Sequence, residues 1–140
     1  MPSSAIRTAL IAKLTGDSTL RSLLPDGVYF SEAPAGLTAF CVVSTVTGED
    51  EHVFGGRAIE RPLYIVKAVV KAKASGNAVA AGDRIDALLQ DGTLSITGYN
   101  FMDCVREEPI EDVEVDDLDS SIRWQHNGGF YRVQASLIGA

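Results

Sequence analysis

The sequence has little of what catalytic and metal centres are usually built from. Its 140 residues include two cysteines, two histidines and one tryptophan. Cys41 and Cys104 have no CxxC spacing, and neither His52 nor His126 stands at ligand spacing from a cysteine or from the other histidine. A zinc site needs more convergent ligands than these supply. Both histidines lie in polar, glycine-adjacent stretches and are expected on surface loops. The cysteines fall in apolar stretches and are expected as reduced core residues; a disulfide between them would require neighbouring strands. Asp103 and Cys104 would point to opposite faces of a strand, which excludes a thiol nucleophile oriented by that carboxylate. No GxGxxG opens a helix after a strand, no GxxxxGK[ST] occurs, and Gly55-Gly56-Arg57 alone is too common to mark a phosphate cradle. No catalytic, cofactor-binding or metal-ligating residue is assigned, and no enzyme activity is expected. Also missing is an apolar run long enough to span a bilayer. The opening Met1-Pro2-Ser3-Ser4-Ala5-Ile6-Arg7 lacks a charged region followed by an apolar one, so a cytosolic protein without a membrane partner is expected.

Basic excess is absent as well. Twelve Lys and Arg face 19 Asp and Glu, a net charge of −7, which does not indicate nucleic-acid binding through phosphate neutralisation. The acids are unevenly spread. Glu107, Glu108, Glu111, Asp112, Glu114, Asp116, Asp117 and Asp119 are eight of them, and the remainder of the chain is nearly neutral. A hydrophobic fraction of 46% with 22% charged residues fits a folded chain. One domain over residues 1–140 is expected, large enough to bury about two-thirds of its unfolded surface.

Local patterns predict an α+β fold. Ile6, Ala9, Leu10, Lys13 and Leu14 have helical spacing over residues 4–14, with Ser3 or Ser4 as N-cap and Gly16 past the end. Asp17 caps a second helix over 18–24, which Pro25-Asp26-Gly27 closes. Strands are predicted at 28–30, 39–47, 59–72, 99–106 and 130–138, the first of them short, with an extended piece at 94–96 and a helix over 78–90. Residues 48–57 read as the long loop of a hairpin, the acidic stretch reads as a loop, and Pro62 suggests a sheet edge or a place beyond the ladder. The expected architecture is an antiparallel sheet of about four strands, with one helix across its apolar face and two helices at the N-terminal end.

Several features admit more than one use. The acidic stretch reads as a solvated, self-repelling loop; it could also bind Ca²⁺, although the EF-hand spacing is lacking, or line a passage where DNA slides without sticking. Lys67, Lys71 and Lys73 share a strand face, either protecting it from aggregation or meeting a partner. Trp124 serves equally as an interface anchor or a core plug.

The helix Ala9-Leu10-Ile11-Ala12-Lys13-Leu14, then Thr19-Leu20-Arg21-Ser22-Leu23-Leu24, Asp26-Gly27-Val28-Tyr29, the loop Ala33-Pro34-Ala35-Gly36 and the strand Phe40-Cys41-Val42-Val43 resemble the start of the tail-completion family of tailed bacteriophages. Leu63-Tyr64-Ile65-Val66-Lys67-Ala68-Val69-Val70-Lys71-Ala72 and the helix after it resemble that family's central strand and helix. Members are also called tail terminator or tail-to-head joining proteins. The resemblance spans about residues 5–137.

It implies a virion subunit without a cofactor that forms a ring, typically a hexamer. The ring would cap the tail tube at the head-proximal end, meet the head connector proteins and let genomic DNA pass without specific binding. Such a subunit needs head-to-tail contacts that close by rotation. Glu49, Asp50 and Glu51 against Arg57 and Arg61, together with Trp124, are the expected contributors to ring closure or tube docking. The eight acids of residues 107–119 are candidates for the inner wall. The competing reading is a small ligand- or metal-binding α+β domain.

Overall fold

The computed structural model describes residues 4–53, 56–71 and 76–138. Helix α1 (Ser4–Thr15) buries Ile6, Leu10 and Leu14, one residue per turn, and α2 (Ser18–Leu23) buries Leu20. Asp17 caps α2 as its sequence predicts, its carboxylate accepting the Leu20 N–H at 2.8 Å. The chain then enters β1 (Val28–Phe30), β2 (Ala39–Val53) and β3 (Gly56–Lys71), crosses through α3 (Gly76–Leu89), and ends in β4 (Tyr99–Val115) and β5 (Arg123–Leu137).

These strands make one five-stranded sheet in the order β1-β2-β3-β5-β4, rather than about four strands. It is mixed rather than antiparallel, because the short β1 runs parallel to β2. The long hairpin loop expected over residues 48–57 is a ladder: β2 and β3 stay paired from Glu49 opposite Arg61 to His52 opposite Arg57, with a register shift between Glu51 and His52. The acidic stretch is likewise strand as far as Val115, paired with β5 from Glu108 onward, with a register shift at Glu107. β4 is an edge strand, where exposed carboxylates keep their water on both faces and discourage pairing with another chain. Pro62 is not at an edge. It lies in central β3 opposite Gly48, and the β3–β5 register passes from Glu60–Ala135 to Leu63–Arg132, so β5 has no partner residue opposite the proline.

β5 starts well before the expected residue 130, because Asn127-Gly128-Gly129 is strand and not loop. A Cβ on Gly128 would lie 2.1 Å from the Val66 carbonyl oxygen and 2.5 Å from Lys67 Cα. The glycine admits the close approach of β3. Residues 94–96 are not a strand, but Leu94 and Ile96 are buried.

All three helices lie on one face of the sheet. Cys41, Val43, Tyr64, Val66, Ala68, Val70, Cys104, Tyr131, Val133 and Ala135 meet Ile6, Leu10, Leu14, Ala81, Ile85 and Leu89 there. The alternation in β3 is as the sequence predicts, with Lys67 and Lys71 on the opposite face; Lys73 lies outside the described residues. Leu137, which alternation with Tyr131, Val133 and Ala135 along the predicted strand would turn inward, is 39% exposed at the strand end. Tyr131 donates its hydroxyl to Asp86 of α3 at 2.9 Å, and the nearly buried Glu60 accepts a hydrogen bond from Tyr99.

Candidate functional site

Both cysteines are buried, and desolvation pushes each thiol up to about 12, so neither is available as a thiolate near neutral pH. Cys41 is on β2 and Cys104 on β4, which β3 and β5 separate, so they cannot be bridged. His126 is not on a loop. It stands in β5 between Val69 and Asp112, its Nε2 3.1 Å from Glu114 Oε1, on the sheet face away from the helices. His52 is strand too, opposite Arg57. Among the described residues no three His, Cys, Asp or Glu side chains converge to hold a metal ion, and no helix is long and apolar enough to cross a membrane.

The first surface is the arm of β2 and β3. Glu49 pairs with Arg61 across the ladder, and Glu51 reaches Arg61 at 3.6 Å, within one chain. Arg61 also donates to Gln134 Oε1 at 2.9 Å. Asp50 is opposite Glu60, and the side chain of Arg57 lies outside the described residues. The like-charged Asp50–Glu60 register would be unfavourable without further partners, which both residues have.

The second is the helix-free face of the sheet. Phe40, Val42, Ile65, Lys67, Val69 and Trp124 line an open hollow of ≈ 400 Å³ there. The Trp124 ring packs edge-on to Phe40 with centroids 6.5 Å apart, and its Nε1 donates to Asp116 Oδ1 at 3.2 Å. The ring is half-buried rather than a core plug, and these contacts brace the hairpin turn against the sheet.

The third is the acidic hairpin. Glu107 is held by Arg132 through Nε at 3.0 Å and Nη2 at 3.3 Å. Register places Glu108, Asp112 and Glu114 opposite Phe130, His126 and Trp124 on the helix-free face, with Glu111 on the other side. Asp116 and Asp119 organise the turn that follows. Asp116 Oδ2 accepts the N–H groups of Leu118 and Asp119 at 3.1 and 3.2 Å, and Asp119 Oδ1 accepts the N–H and hydroxyl of Ser121 at 2.9 and 2.7 Å. The Trp124 N–H, followed by the Leu118 amide, lowers the Asp116 carboxyl, and the Ser121 hydroxyl and amide lower that of Asp119. Between them Leu118 is 98% exposed. Reading the sequence by charge passes over this leucine; its signal is an apolar residue inside Asp116-Asp117-Leu118-Asp119, where a polar tip would be expected.

No protein-family model and no curated protein matches the chain. The fold, however, has known counterparts. The chain superimposes on one in the structure described as the virion of a native gene transfer agent particle, with a TM-score of 0.70 and 16% identity over 95% of this chain and 96% of that one. A second solved structure aligns at a TM-score of 0.54 and 14% identity over 100% and 98% of the two chains. At these identities the likeness is one of fold, carried end to end.

Proposed function

We propose that the chain is a structural protein of a phage-like virion that closes as a ring on the finished tail tube and joins it to the head connector. One observation carries the reading: the end-to-end fold likeness to a chain of a gene transfer agent virion. The sequence resemblance to tail-completion proteins supports it separately and is the ground for six copies and for the head-proximal position.

The surfaces suit that work. A ring subunit must present two different patches to its neighbours, and this sheet has two unlike edges, the short parallel β1 and the long acidic β4. The arm with Glu49, Asp50, Glu51, Arg57 and Arg61 is the part proposed for tube docking. A bore lined by carboxylates lets DNA slide, whereas a basic one would hold it by counterion release. We assign that lining to the strand acids Glu107, Glu108, Glu111, Asp112 and Glu114.

Light scattering after chromatography and negative-stain microscopy, on the chain alone and mixed with tail tubes, test the reading. Annuli or capped tubes are expected. A chain that stays a single subunit under both conditions, and whose melting temperature rises with a small ligand or metal, would instead be a binding domain. Replacing the strand acids by their amides should leave assembly intact and slow DNA ejection; unchanged ejection removes the lining from the proposal.

A further inference from the structure

A pocket of ≈ 160 Å³ opens between α1, α2 and β1, lined by Leu14, Leu20, Leu24, Pro25 and Val28, with Arg21 at its rim. Arg21 is exposed and forms no salt bridge among the described residues, since Asp17 beside it is gripped by Arg84. The pocket therefore joins an apolar floor to an available cation. The β4–β5 turn is its converse: Leu118 stands 98% exposed, with the exposed carboxylates of Asp117 and Asp119 on either side. The turn holds that shape through the Asp116 and Asp119 hydrogen bonds, so little ordering would remain to be done on docking.

The two features lie at opposite edges of one sheet. β1, beside the pocket, is the first strand in the order and β4 the last, four strand spacings or about 19 Å apart. Both lie at the same end of the sheet: Cys41 N–H bonds to the Gly27 carbonyl, Ala39 pairs with Val70, and Val70 with Gln125, two residues after β5 begins. A chain cannot fill its own pocket with its own turn. A knob on one edge and a complementary hole on the other make a head-to-tail contact, which closes into a ring where the rotation between copies allows.

We propose that Leu118 of one copy seats in the α1–α2 pocket of the next, with Asp117 and Asp119 flanking Arg21. The occupant is a second copy of this chain, because the acidic collar matches the basic rim and an isobutyl group fits the apolar floor. The contact rests on the ring reading and gives it a direction. It also takes Asp117 and Asp119 out of the bore.

Cross-linking tests it directly. In the double variant Ser120→Cys, Thr15→Cys, which puts one thiol on the exposed turn and one on the pocket lining and keeps Leu118 and Arg21, the native thiols are buried, so only the new pair can oxidise under copper-phenanthroline. A ladder of covalent multimers is expected on a non-reducing gel, while each single variant stops at a dimer. A double variant that also stops at dimer sinks the contact. Leu118→Asp supplies a second readout, since so exposed a residue can be changed without loss of fold: association measured by sedimentation should weaken at least tenfold with unchanged melting. Should wild-type annuli form while both readouts are negative, the ring stands and this contact falls. Should Leu118→Asp still close rings yet fail to cap tubes, the partner of the turn is the tube and not a second copy. A wild-type chain that never associates, alone or on tubes, removes ring and contact together.

Discussion

Arg84 of α3 holds Asp17, the cap of α2, in a two-point grip, with Nη2 2.6 Å from Oδ1 and Nε 2.8 Å from Oδ2. Because the same carboxylate accepts the Leu20 N–H, one side chain starts α2 and ties it to α3.

This joint should be acid-sensitive. The Arg84 hydrogen bond, with smaller help from the Leu20 amide, brings the Asp17 carboxyl from 3.8 to about 2. A carboxyl depressed in the folded state stabilises above its unfolded value, and that contribution is lost as the pH falls from about 4 to about 2. Asp17→Ala should lower stability at pH 7 by about 1 to 2 kcal/mol and flatten the acid limb of a pH–stability curve. Urea melts at pH 7 and pH 2.5 check both; an equal deficit at the two pH values would contradict the assignment.

Gly128→Ala should be among the most damaging single-methyl additions in the chain. The new Cβ meets the Val66 carbonyl oxygen and Lys67 Cα, both backbone, so the β3–β5 ladder must part locally. A loss of about 3 kcal/mol or more is expected, read as a lower denaturant midpoint.

Cys41 and Cys104 should resist Ellman's reagent in the native protein, with both thiols appearing only on unfolding, because burial raises each to about 12. A thiol that reacts within seconds under native conditions would show that one of the two strands opens.

Asp116→Ala should loosen the β4–β5 turn without touching the core. It removes the acceptor for Trp124 Nε1 and for the Leu118 and Asp119 amides. Hydrogen exchange should speed at residues 118 and 119, and Trp124 emission should shift, while amides of β3 keep their protection. Unaltered exchange at the turn would mean that the ladder, not the carboxylate, sets its shape.

The helices were the most legible part of the fold. Their signals are short-range: Ile6, Leu10 and Leu14 at helical spacing, Asp17 before Ser18, and Ile85 and Leu89 four apart. What escaped depends on partners distant in sequence. Val28-Tyr29-Phe30 reads as a strand but says nothing of lying parallel to β2. Gly128 and Gly129 read as a break because what they make room for is distant in sequence, Val66 and Lys67 of β3 for the first and Arg106 and Glu108 of β4 for the second. Carboxylates from 107 to 114 read as a loop by charge, although Ile110, Val113 and Val115 among them favour strand and an edge tolerates the rest. Trp124 and the acids stand out by residue type, but the hydrogen bonds by which Trp124, Asp116 and Asp119 shape a turn whose tip is a leucine depend on the ladder that brings them together.

The placement of β5 bears on how the chain is made. It is the last described strand to leave the ribosome, yet it lies between β3 and β4 and is the strand that both pair with. Until residues 123–137 have been synthesised, β4 has no neighbour in the sheet and α3 lacks much of its floor. Its carboxylates then act as a safeguard during synthesis, keeping an unpaired strand from finding the wrong partner while nascent chains stand close together on a polysome.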